Sequence, residues 1–101
     1  MSRESIEQGL RARLGDFMGF GYRVAFDLGD DGVITVDGAQ NPPVIEEDAG
    51  EVACTIRVSV ENMEKLVAGS LNPMLAYTLG KLKVEGSMGV AMKVAALLGD
   101  D

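Results

Sequence analysis

Histidine and tryptophan are absent from this 101-residue sequence, and cysteine occurs once, at Cys54. Without an imidazole, the chain cannot form a triad that uses a histidine base, a His-ligated zinc site or an H-E-x-x-H metalloprotease motif. A single cysteine cannot form an intrachain disulfide, and the apolar alternation of Val52, Cys54 and Ile56 predicts a small buried residue rather than a reactive thiol. The sequence therefore predicts no catalytic residue, no metal site and no cofactor.

Positive charge is also scarce, since nine basic residues face sixteen acidic ones and the net charge is −7. Each contact with a nucleic-acid phosphate needs a Lys or Arg, so this balance argues against nucleic-acid binding. No apolar run approaches the ~20 residues of a membrane span, and residues 1–5 lack the charged and apolar regions of a secretory signal. We therefore predict a cytoplasmic protein with one globular domain over residues 1–101.

Two predicted turns contain adjacent acidic residues, Asp30 with Asp31 and Glu46 with Glu47 and Asp48. Both groups lie in turns rich in glycine or proline, with no apolar surroundings to separate their pKa values as acid–base catalysis requires. We interpret them as solvated turn residues. Because no nucleophile and base remain to be named, the sequence predicts a protein that is not an enzyme.

Helical and strand periods follow one another along the chain in an order that predicts an α+β fold. The first element is an amphipathic helix with four apolar positions: Ile6, Leu10, Leu14 and Phe17. Alternation of apolar and polar residues then predicts four strands, at residues 22–28, 33–36, 44–45 and 52–59. The first two form a hairpin with a glycine-rich turn, and the third is a short edge strand.

Capping residues indicate two further helices. Ser59 is a suitable N-cap for a helix that ends at Gly69, and Asn72 with Pro73 begins a short helix that ends at Gly80. A fifth strand at residues 81–85 and a last helix at 88–98 complete the chain. The order predicts a five-stranded, mixed and mainly antiparallel sheet with helices over one face.

The last helix has almost no polar face, because Lys93 is the only charged residue between positions 88 and 98. A surface helix normally carries a polar stripe opposite its apolar one. With Lys93 directed toward solvent, five positions face inward and Val94 lies at the border; the five are Met88, Ala91, Met92, Ala95 and Leu98. Alanines flanked by long side chains fit either close packing on the sheet or a lined cavity, and the pattern alone favours packing.

Three stretches of the sequence form a recognisable pattern: Cys54-Thr-Ile56, Gly69-Ser-Leu-Asn-Pro73 and above all Gly80-Lys-Leu-Lys-Val-Glu-Gly-Ser-Met-Gly-Val-Ala-Met-Lys93. On these residues the sequence resembles the sterol carrier protein 2 (SCP-2) lipid-binding domain family, most strongly over residues 53–98. The resemblance implies a five-stranded sheet covered by helices, with an apolar tunnel that holds a fatty acid, acyl-CoA, phospholipid or sterol. It also implies non-enzymatic lipid binding, intracellular transfer and transient contact with membranes.

Residues that match the family's ligand-binding elements lie on the short helix after Pro73, the inward face of the fifth strand and the last helix. The resemblance implies that their side chains form an apolar wall for the lipid, and that the two alanines leave room for it. These residues are Met74, Tyr77, Leu79, Leu82, Val84, Met88, Ala91, Met92, Ala95 and Leu98.

The competing hypothesis is a protein interaction module of the same fold in which the pocket is collapsed. In that case Val90 and Leu97, expected on the exposed side of the last helix, dock a partner chain or a second copy to form a homodimer. Binding of a long-chain lipid distinguishes the two hypotheses.

Overall fold

The computed structural model describes residues 3–47 and 50–99, in which five strands form one mixed sheet. The strands are β1 (Arg23–Asp27), β2 (Val33–Asp37), β3 (Val44–Glu46), β4 (Cys54–Val58) and β5 (Leu82–Gly86). Their order across the sheet is β3-β2-β1-β4-β5. Only the central pair β1 and β4 is parallel, and the other three pairs are antiparallel. The α+β class and the mixed, mainly antiparallel sheet are therefore confirmed.

Four α-helices accompany the sheet within the described ranges: α1 (Arg3–Ala12), α2 (Val60–Ala68), α3 (Pro73–Thr78) and α4 (Met88–Gly99). The predicted caps are confirmed. The Ser59 hydroxyl accepts from the Asn62 N–H at 3.1 Å, and α2 ends at Gly69, whose φ is +81°. Such positive φ angles favour glycine because it has no Cβ.

The N-terminal helix is shorter than predicted. It ends at Ala12, and Leu14 and Phe17 belong to a separate 3-10 helix, Leu14–Phe17. The chain turns at Arg13, whose Nε donates to the Val67 carbonyl at 3.0 Å at the end of α2. Phe17 is nevertheless fully buried and Leu14 packs against the core, so the apolar periodicity identified core residues but placed two of them in the wrong element.

The core lies between the helices and one face of the sheet. Alternate strand residues point into it, including Val24, Phe26, Ile34, Val36 and Ile56, all of which are buried. On the other face Arg57 joins neighbouring strands through ion pairs to Glu85 at 3.2 Å and Asp27 at 3.6 Å. This two-sided pattern is typical of a sheet with one covered face.

Cys54 lies in the core and is 1% exposed, as the alternation on β4 predicts. Burial raises the pKa of its thiol, because the thiolate loses solvation in an apolar environment. We expect a disulfide reagent at pH 8 to modify Cys54 slowly in the folded protein and rapidly in denaturant, as measured by absorbance of the released thiol.

The raised pKa of Cys54 also has a defined effect on stability. In the unfolded chain the thiol ionises near its ordinary pKa of about 8.5, while the folded state still holds the proton. Ionisation of Cys54 therefore leaves the free energy of unfolding unchanged below that pKa and lowers it as pH rises above it. Urea titrations of wild type and Cys54→Ala should show a shallower decline for the variant; parallel declines would contradict the assignment.

Candidate functional site

One apolar cavity lies among α3, α4 and the inner face of the sheet. Fourteen residues line it: Phe26, Ile56, Leu66, Pro73, Met74, Tyr77, Leu82, Val84, Met88, Ala91, Met92, Val94, Ala95 and Leu98. Met74, Tyr77, Met88 and Met92 are each between 42% and 46% exposed, so the cavity reaches the protein surface between these four side chains. We refer to them as the cavity mouth.

The short helix α3 is fixed at both ends, although six residues alone form a helix only marginally. The Asn72 side-chain oxygen accepts from the N–H groups of Met74 at 2.9 Å and Leu75 at 3.1 Å, and Pro73 occupies the first helical turn. At the other end the Lys81 N–H donates to the Ala76 carbonyl at 2.8 Å. These bonds hold Met74 and Tyr77 beside the cavity.

The junction between β5 and α4 is fixed by Ser87. Its hydroxyl accepts from the Val90 N–H at 3.2 Å and so caps the start of α4. Its backbone N–H donates to the Ala53 carbonyl at 2.9 Å, which connects the same turn to the residue before β4. The position of Met88, Ala91 and Met92 relative to the sheet therefore depends on this turn.

The structure brings together nine of the ten residues for which the sequence predicts a role in the ligand wall. Leu79 differs from that prediction: it follows the last residue of α3, is 57% exposed and does not line the cavity. The resemblance assigns Leu79 to the ligand wall with the short helix, but α3 ends at Thr78.

Sequence reasoning missed five lining residues: Phe26, Ile56, Leu66, Pro73 and Val94. Phe26 and Ile56 are buried on the inner face of the sheet, and the alternation along β4 predicts this for Ile56. Their place at the cavity follows from the strand order, which puts β4 next to β5 and β1 next to β4. No periodicity within one strand carries that information.

The buried face of α4 also differs from the prediction. Val90 and Val94 are 6% and 0% exposed, whereas Val90 was expected on the exposed side of the helix and Val94 at its border. Leu97, the other residue expected there, packs partly buried against the core. Lys93 is exposed, as predicted, but its Nζ lies 5.1 Å from the centre of the Tyr22 ring, so its position does not mark the centre of the solvent side of α4.

The cavity is narrow in this conformation, although it reaches the surface at its mouth. The space open to the centre of a water-sized sphere is about 30 Å³, and one water requires about 10–15 Å³ on that measure. Two waters fit, but a long acyl chain does not. Binding such a chain therefore requires the walls to move apart, and methionines, with three rotatable bonds each, allow this at the cavity mouth.

The chemistry of the lining is restricted to apolar contact. Its only ionisable side chain is Tyr77, and no Lys, Arg, Asp or Glu contributes to it. Across residues 3–47 and 50–99, His, Cys, Asp and Glu form no group of three or more that could hold a metal ion. In the same part of the chain, no helix has the length and apolar character needed to cross a bilayer.

The sequence of this chain matches a known protein family. The profile of the SCP-2 sterol transfer family matches residues 4–99. The sterol carrier protein 2 of Rattus norvegicus is 37% identical over 54 residues, which is 54% of this chain and 10% of the rat protein. The chain thus aligns with only about a tenth of the length of such curated relatives.

Solved structures share the fold over nearly the whole chain. Palmitated SCP2L2 from Aedes aegypti has a TM-score of 0.74 at 24% identity, covering 97% of this chain and 95% of that one. The sterol carrier protein domain 2 of Helicoverpa armigera has a TM-score of 0.67 at 25% identity, covering 94% and 77%. The profile match over residues 4–99 shows that the chain belongs to the SCP-2 sterol transfer family.

Proposed function

We propose that this protein binds one long-chain lipid between α3, α4 and the sheet, without catalysing a reaction, and transfers it between sites in the cell. The observation that carries the proposal is the apolar cavity whose lining includes nine residues at positions that match the family's ligand-binding elements. SCP-2 domains bind lipids as a family, and the identity of the lipid in this chain is part of the proposal.

The lining favours the acyl chain over the head group as the recognised part of the ligand. Methylene groups gain free energy from burial without needing a specific partner, at about 0.8 kcal/mol each. A carboxylate or phosphate buried without a cation would lose solvation at a cost of several kcal/mol. Since no cationic side chain lines the cavity, we propose that the charged head group stays at the cavity mouth, in water.

The Aedes aegypti neighbour offers a chemical parallel, because its structure is of a palmitated protein. At 24% identity the likeness shows the fold alone, and palmitate is a property of that protein. Together with the wholly apolar lining, it makes a saturated or monounsaturated fatty acid the first ligand to test here.

We expect this protein to bind a fluorescent long-chain fatty acid with a Kd of about 1 μM or lower. Burying about ten methylenes supplies roughly the 8.2 kcal/mol that this affinity requires, before the cost of ordering the chain. The measurement is a fluorescence titration with displacement by unlabelled oleate, accompanied by native mass spectrometry of protein purified from its own host.

The control for this titration is a short-chain acid of the same charge, such as butyrate, which should not displace the probe. A signal that does not saturate, or that oleate does not displace, would contradict the proposal. It would favour the interaction module with a collapsed pocket, for which the small volume of the cavity in this conformation is the supporting observation.

A further inference from the structure

The strand β5 lies at one edge of the sheet, and within residues 3–47 and 50–99 it pairs with β4 alone. Alternate residues of a strand direct their backbone N–H and C=O groups to opposite sides. The Ser87 N–H bonds to the Ala53 carbonyl beside β4, so in the same alternation Lys83 and Glu85 bond to β4. The N–H and C=O of Val84 therefore point away from β4, toward the open edge.

This edge is accessible to another strand. Lys83, Glu85 and Gly86 are exposed, and Val84 is half-buried. The opposite edge of the sheet is less suitable, because β3 has only three residues and directly follows two prolines, which have no N–H to donate. An exposed strand of five residues with open backbone groups is a template for pairing with another chain.

Lys83 occupies an unfavourable position within its own chain. It lies directly opposite Arg57 on β4, and like charges at opposite positions destabilise a sheet. Arg57 is paired with Glu85 and Asp27, whereas Lys83 forms no ion pair within the described residues. A carboxylate on the open side of β5 would balance the charge of Lys83.

We propose that β5 pairs in the antiparallel direction with β5 of a second copy, about a two-fold axis at Val84, so that two five-stranded sheets join into one. In this register Val84 lies opposite Val84 of the second copy, and their outward N–H and C=O groups exchange two hydrogen bonds. Lys83 lies opposite Glu85 of the second copy, and symmetry repeats this pair. Each Lys83 thereby gains the carboxylate that its own chain does not supply.

The charges select this register over its neighbours. A two-fold axis at Lys83 would place two ammonium groups together, and an axis at Glu85 would place two carboxylates together. Of these three registers, only the one centred on Val84 pairs opposite charges. The sequence Lys-Val-Glu is thus complementary to itself in the antiparallel direction, which favours a second copy over a strand of unrelated sequence.

The two-fold axis also brings the two cavities near each other. Leu82 and Val84 line the cavity from β5, and the axis passes beside Val84. An axis perpendicular to the sheet keeps the helices of both copies on the same face of the joined sheet. Pairing of the strands needs no lipid, so this inference stands apart from the proposed function.

The test is sedimentation equilibrium of the full chain over a range of concentrations. We expect a weak dimer with a Kd of roughly 10–100 μM, because pairing of two short strands buries less area than a standard interface. Lys83→Glu and Glu85→Lys should each raise this Kd at least tenfold, because each change turns two attractive pairs into two repulsive ones. An equimolar mixture of the two variants should form a heterodimer, because opposite charges then face each other again.

The matched control is Lys65→Glu, the same change at an exposed position of α2, which should leave the Kd unchanged. Hydrogen exchange supplies a residue-specific readout, since the Val84 N–H should exchange more slowly as the dimer fraction rises. Fatty-acid affinity should be unchanged in Lys83→Glu and Glu85→Lys, because neither residue lines the cavity. Loss of the dimer is therefore distinguishable from failure of lipid binding.

Three outcomes would overturn the proposal. The first is a wild type that stays monomeric, which would leave the edge to a strand of another protein. The second is a dimer that persists in both charge variants, which would assign the contact to another surface. The third is a mixture of Lys83→Glu and Glu85→Lys that forms no heterodimer although each variant is folded and monomeric, as judged by thermal unfolding and sedimentation.

Discussion

Ala95→Phe should lower the affinity for a long-chain fatty acid at least tenfold, equivalent to about 1.4 kcal/mol. Ala95 lines the cavity and is half-buried on the side of α4 that carries Met88 and Met92. A phenyl ring at this position occupies the volume into which the acyl chain must enter. We expect the free energy of unfolding to change by less than about 1 kcal/mol, because the flexible methionines at the cavity mouth can move aside.

The matched control is Ala96→Phe, the same substitution one residue further along α4. Ala96 is exposed and does not line the cavity, so fatty-acid affinity should be unchanged. The measurements are fluorescence titration and thermal unfolding of both variants. If Ala95→Phe instead lowered stability by about 1–3 kcal/mol, as overpacking does, in a protein whose wild type binds no fatty acid, α4 would be ordinary core and the lipid-binding proposal would be wrong.

Gly86→Ala should cost at least about 3 kcal/mol of folding free energy and lower the melting temperature by about 12 °C or more. Gly86 has φ +94°, which an L-residue with a Cβ rarely adopts. An added Cβ would also lie 2.7 Å from the Ala53 carbonyl oxygen and 3.0 Å from the Cys54 Cα. Both are backbone atoms, so the end of β5 would have to shift.

That carbonyl oxygen accepts the Ser87 N–H bond, and Ser87 caps α4, so the shift should also weaken fatty-acid binding. The control is Gly80→Ala, where φ is +77° but an added Cβ meets nothing within 4 Å. This variant should lose only about 1–2 kcal/mol of folding free energy, the penalty for holding a residue with a Cβ at a positive φ. If both variants lost the same folding free energy in urea titrations, the contact between an added Cβ and Ala53 would not be the reason that residue 86 must be glycine.

Sequence patterns predicted the structure correctly where contacts between residues close in the chain determine it. Ser59 and Asn72 cap helices as predicted, because the side-chain oxygen of an N-cap residue reaches the N–H groups two or three residues ahead, and Pro73 begins a helix because its fixed φ suits the first turn. The alternation on β4 placed Cys54 and Ile56 in the core for a similar reason, since successive strand residues point to opposite faces.

Two errors in the candidate site have a common origin in missing three-dimensional context. The face of α4 was oriented by its one charge, yet Lys93 reaches the Tyr22 ring from a distant part of the sequence. The resemblance implies a place for Leu79 in the ligand wall, but α3 ends at Thr78 and Leu79 is exposed. Neither contact nor exposure is encoded in the spacing of nearby residues.

The sequence by itself determined the α+β class, the order of strands and helices along the chain, the absence of histidine chemistry and the apolar character of residues 88–98. These properties depend on composition and on local periods. The tertiary structure decided which inward-facing residues meet, because the pairing of β1 with β4 and of β4 with β5 brings Phe26 and Ile56 to the cavity beneath α4. It also decided which apolar residues stay outside, since exposure depends on packing between elements that are far apart in the chain.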